Sequence, residues 1–232
     1  MIVEKADYKT LRAFPYTVFA VLAATLFIMV SFALYSVLLV NGEVTFYQLT
    51  NGAYIVCYFL RYLSIVACFV CLYRLADLSK WINLACILCV CYMISELLSR
   101  VSKWLANVFK GSASVNLIAL FINIIPTLFV MMVIVFMLNG ICDIYKDMGK
   151  EKEGKSYRRI KPYWVMAEFI QMIISAVLTP LAYSLADSVA LLPVGVVIIV
   201  CELLYVIVSL LIYLKVKGFC YEYYMYSYNS GR

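Results

Sequence analysis

Four polar side chains stand in otherwise apolar stretches and are the candidates for chemistry: Arg61, Glu96, Asn123 and Glu202. A charge at the centre of a bilayer costs about 2.5–3.5 kcal/mol on insertion scales, so such residues face a bundle interior and find partners. A guanidinium, a carboxylate and a carboxamide together suit an anion or substrate site. The competing reading is an Arg61–Glu96 ion pair that fixes helix register. Glu202 stands alone near the middle of its stretch and could carry a proton, or be held neutral by a hydrogen bond to Tyr205, Asn123 or Gln171. Glu168 is expected to reach water at the membrane surface.

Arg61 and Glu96 belong to two regular stripes. Cys57, Arg61, Ser64, Cys68 and Cys71 recur at spacings of four, three, four and three, and Cys86, Cys89, Met93, Glu96 and Arg100 recur at three, four, three and four. Each set lies on one face of a helix. An antiparallel hairpin about the charged turn from Arg74 to Lys80 would set Arg61 against Glu96, Cys68 against Cys89 and Cys71 against Cys86. The run Cys68-x-x-Cys71 and the run Cys86-x-x-Cys89-x-Cys91 would suit zinc or copper(I) if four sulfurs converged. Cysteine is also a small apolar filler, and that reading is preferred here, with no metal expected.

The chain has no histidine. This removes the commonest general base and metal ligand, and with it serine–histidine and cysteine–histidine catalysis. No cofactor motif appears, and no enzyme activity is expected. The excess of six positive charges lies beside apolar segments and does not point to nucleic acid.

The elements that must position these residues are set by hydrophobicity. Hydrophobic residues make up 66% of the chain and charged residues 14%, and mean hydropathy is +0.96; a soluble domain carries about 25% charge. Several apolar runs reach the roughly 20 residues that a helix needs to cross a bilayer. The expected fold is all-α: a polytopic membrane helix bundle in one integral membrane domain spanning 1–232. Six transmembrane helices are expected near 16–40, 53–73, 82–98, 115–138, 163–186 and 189–214. Residues 41–52 read as a connector, and Ser99–Ser114 as a short external interfacial helix, with Val101, Leu105 and Val108 on its apolar side. Asn123 and Pro126 predict a kink.

Residues 143–162 form the longest polar stretch, expected as a cytoplasmic loop. It holds seven lysines and arginines against four acids. If both termini face the cytoplasm, 15 of the 19 basic residues lie inside. The positive-inside rule thus favours a multi-pass protein of the cell membrane, bacterial by its compact loops, with both N- and C-terminus cytoplasmic. Arg158, Arg159 and Lys161 in that loop could hold anionic lipid headgroups or a membrane-protein partner. The lipid bilayer itself is the first partner. The tyrosine-rich tail is expected at the interface. The leading functional expectation is a small transporter or membrane-embedded substrate-binding subunit. The alternative is a non-transporting scaffold, sensor or accessory subunit acting through the basic loop and tail.

Overall fold

In lipid every backbone polar group must be satisfied within the segment, which leaves helices as the spanning elements of such a sequence. The computed structural model describes residues 8–40, 44–108, 113–174 and 191–230. Within these, six α-helices follow one another: α1 (Tyr8–Val40), α2 (Val44–Leu75), α3 (Lys80–Val108), α4 (Ala113–Asp147), α5 (Glu151–Ile173) and α6 (Leu191–Ser230), with one 3-10 turn at Ala76–Leu78 between α2 and α3. No strand occurs among the described residues. The chain is an all-helical membrane protein: five helices are long and apolar enough to span a bilayer, α1, α2, α3, α4 and α6. The second half of the expected span 163–186 lies outside the described residues, as does the turn at Asp187 and Ser188.

The helices are longer than hydropathy alone suggests. α2 begins at Val44, so most of the expected connector 41–52 is helical. Residues 99–108 continue α3 without a break at Ser99, and the expected separate interfacial helix is, to Val108, the end of α3. Hydropathy falls there, but no Gly or Pro interrupts the backbone, and the hydrogen-bond ladder simply runs on. Pro126 sits inside α4 without ending it, and Pro162 inside α5. The expected tail, from 215 onward, is to Ser230 the end of α6 and buries Val216, Phe219, Cys220 and Tyr223.

Two compact units divide the chain. One holds α3, α4 and α5, in which α3 packs on α4 and α4 on α5. α3 shows the inside-out pattern of a membrane helix. Ile82, Ala85, Cys86, Cys89, Tyr92, Ser95, Glu96, Ser99 and Ser102 are buried, while Ile87, Ile94, Leu97, Leu98 and Val101 are exposed. Small and polar residues make the helix contact, and branched apolar residues are left for lipid. The Ser95 and Ser102 hydroxyls donate to the carbonyls of Tyr92 and Ser99, each at 2.8 Å, so these polar groups are satisfied within the helix. Where α3 meets α4, Trp81 stacks on Phe136, ring centroids 5.5 Å apart and planes 13° apart. One step along, Gly140 lies so close to Ile82 that a Cβ there would be 2.4 Å from its Cγ1.

The other unit holds α1, α2 through Cys71, and α6. α1 packs against α6, burying Leu11, Phe14 and Val18 and bringing the Phe19 and Tyr213 rings to 5.0 Å. On α2 the stripe Cys57, Arg61, Ser64, Cys68, Cys71 is the less exposed face, and Ile55, Phe59, Leu60, Leu63, Val66 and Val70 are exposed.

Candidate functional site

The polar stretch 143–162 is a helical hairpin rather than a loop. α4 runs to Asp147 and α5 starts at Glu151, leaving only Met148–Lys150 as the turn. Gly149 is the cause. It adopts φ +74°, a left-handed conformation that glycine takes without a Cβ penalty. The Lys150 N–H donates to the Tyr145 carbonyl at 2.8 Å, and the Gly149 N–H to that of Lys146 at 3.0 Å. This is the Schellman pair of bonds that closes a helix C-terminus. Acidic Glu151 and Glu153 then occupy the first turn of α5, where the helix dipole favours them.

The hairpin is tightly packed. Gly154 abuts α4, with the Cys142 carbonyl and Tyr145 Cβ each 3.3 Å from where its Cβ would be. The Cys142 thiol donates to the Gly154 carbonyl at 3.3 Å. The hydroxyls of Tyr145 and Tyr157, both buried, are 3.2 Å apart. Tyr157, Trp164, Ala167 and Glu168 continue the buried face of α5. Glu168 is only 2% exposed. It does not reach out to water as expected, because its place on the helix puts it on the packed side with Trp164 and Ala167.

At the root of this hairpin the basic residues divide in two. Lys161 turns inward, its Nζ donating to Asn139 Oδ1. Burial pulls the Lys161 ammonium below its ordinary 10.5; Arg158 adds to this, while Cys142 and Asp143 oppose it. Lys152, Lys155, Arg158 and Arg159 are exposed. Lys155 makes an i,i+4 contact of 3.7 Å with Glu151, of the kind that stabilises a surface helix by a few tenths of a kcal/mol. Arg159 shares its face with Tyr163, Met166 and Ile173, all exposed. That face changes from basic to apolar at Pro162, as a helix entering a bilayer does. The arrangement is a short-turned helical hairpin whose outer surface carries exposed cations. Asn139, Cys142 and Asp143 are missing from the residues singled out by sequence. Their spacing of three and one on α4, facing Arg158 and Lys161 at a spacing of three on α5, is the signal that identifies them once the turn is known to be short.

The intramembrane candidates fall in both units. Arg61 is half-buried on α2, where its Nη1 donates to the Tyr58 hydroxyl at 3.3 Å and its guanidinium lies 5.6 Å from the Tyr58 ring centroid. Glu202 is half-buried on α6. Glu96 is buried on α3 and meets Arg100 one turn on at 3.7 Å. Asn123 lies on α4, its side chain outside the described residues. Cys86 and Cys89 are buried on the contact face of α3. Among the described residues no three cysteines or acids gather as metal ligands.

No family model, curated protein or solved structure matches this chain. Its function is therefore argued from its own geometry.

Proposed function

We propose that this protein is a non-transporting accessory or scaffold subunit of the cytoplasmic membrane, with both termini inside and no catalytic chemistry of its own. Its α4–α5 hairpin is the point where it engages an anionic partner at the cytoplasmic surface. The observation that carries this reading is the hairpin itself. The most basic stretch of the chain is held rigid by a three-residue turn and a packed tyrosine–tyrosine contact, with Lys152, Lys155, Arg158 and Arg159 facing outward. A stretch that only sets topology needs charge but no such order. The charge balance of the segments supports the orientation.

A second reading, the transporter or substrate-binding subunit, is favoured by one observation: the Glu96 carboxylate is buried on α3. Against it, the neighbouring Ser95 and Ser102 hydroxyls are bonded to their own helix, which suits packing better than a ligand cage.

Thiol accessibility separates the two. In a cysteine-free background, single cysteines at positions 152, 155 and 159 should react with a membrane-impermeant reagent from the cytoplasmic side only. Cysteines at 61, 96, 123 and 202 should stay inert from both sides. Reaction at these four would establish a water-filled path and favour transport. Reaction at 155 from outside would overturn the orientation.

A further inference from the structure

Where α1 begins, the α1–α6 pair carries a second feature that the hairpin does not use. Beyond the Phe19–Tyr213 contact the two helices leave an open cleft of about 250 Å³. Leu11, Pro15, Cys220 and Tyr224 line it, and Arg12 and Lys217 flank it from opposite helices. Both cations are exposed, and among the described residues no ion pair engages either. Tyr16 and Tyr221, 60% and 66% exposed, complete the walls. The cleft lies where the charge-free part of α1, from Phe14 to Val40, begins.

We infer that this cleft is a binding site for an anionic phospholipid of the inner leaflet, its phosphodiester held by Arg12 and Lys217. Two like charges converging on one cleft repel each other until an anion lies between them. The apolar lining excludes a bare soluble anion as the natural occupant and suits the glycerol and first methylenes of a lipid. Tyrosines at the rim favour the depth of the headgroups. The inner leaflet supplies the negative charge that juxtamembrane lysine and arginine recognise. An acidic peptide would find the cations but no reason for the apolar floor at the start of a spanning run. The site itself rests on α1 and α6 alone, and its assignment to the inner leaflet rests on the proposed orientation.

The test uses the full-length protein in neutral detergent, with phosphatidylglycerol, phosphatidylcholine or inorganic phosphate added and bound lipid counted by native mass spectrometry. Phosphatidylglycerol should bind, phosphatidylcholine at least tenfold more weakly, and phosphate alone not measurably. Arg12→Gln and Lys217→Gln should each weaken phosphatidylglycerol binding about fivefold, and the pair about 25-fold, on the scale of one surface cation each. Arg12→Lys should retain most of it, which guards against a variant that merely misfolds. Equal retention of both lipids, binding of phosphate alone, or a dimer that excludes lipid from the cleft would each overturn the inference.

Discussion

Gly140→Ala should destabilise the α3–α4 pair, although alanine is the better helix former. The new Cβ would stand 2.4 Å from Ile82 Cγ1 and 3.1 Å from the Ile82 backbone nitrogen, where carbon pairs prefer about 3.5–4.0 Å. Ile82 is 2% exposed and β-branched, so its side chain has few rotamers to escape into. The helices must separate by about 1 Å, which also loosens the Trp81–Phe136 stack. Overpacking of this kind costs about 1–3 kcal/mol, and such an aromatic pair contributes about 0.5–1.5. Against this, alanine gains about 1 kcal/mol of helix propensity. The net loss expected is about 2 kcal/mol. In an Ile82→Ala background the obstructing atoms are gone, and Gly140→Ala should become neutral or stabilising by up to about 1 kcal/mol. The measurement is reversible unfolding in mixed micelles at increasing dodecyl sulfate, over the four proteins of the cycle. A coupling energy below about 0.5 kcal/mol, the size found for independent sites, would refute the argument that these two residues set the helix separation.

Three further outcomes are expected. Gly218, inside α6, has nothing within 4 Å of where a Cβ would be, so Gly218→Ala should stabilise by about 0.5–1 kcal/mol in the same assay. Gly149 is equally open but at φ +74°, so Gly149→Ala should cost about 1–2 kcal/mol through backbone strain alone, read as earlier proteolysis of the hairpin. Lys161 binds its proton less tightly when folded than its ordinary 10.5. Between the lowered value and 10.5 the unfolded chain holds more protons, so stability rises with pH there and is fully present only above it; Lys161→Gln should flatten that slope, and an unchanged slope would assign it to another group.

The membrane class and the stripes were legible because they depend on composition and on a 3.6-residue period. The face predicted from Cys86, Cys89 and Glu96 is the buried face of α3, and that from Cys57 to Cys71 is the sheltered face of α2. Helix ends were less legible. Hydropathy marks where a helix leaves lipid, and α3, α4, α5 and α6 all continue past that point. The stop at Gly149 could have been read from a glycine following Lys146-Asp147-Met148 with acids just after it, which is the usual end-and-start signal. The contacts of Lys161 with Asn139 and of Cys142 with Gly154 follow from that turn, since only a three-residue connection brings those levels of the two helices together. Glu168 differs for another reason: its depth along α5 points to the water surface, but the side of the helix it occupies is the packed one.

The continuity of α4 has a mechanical consequence. At 35 residues and 1.5 Å per residue it is about 50 Å long, against a hydrocarbon layer of about 30 Å. It reaches the hairpin tip without a joint, and α5 returns from the tip after three residues. Whatever pulls on Lys152 or Arg159 therefore acts on a stiff lever. A tether would absorb a nudge at the tip as slack. A lever delivers it to the packed surface of α4, where Gly140 leaves almost no room for it to dissipate.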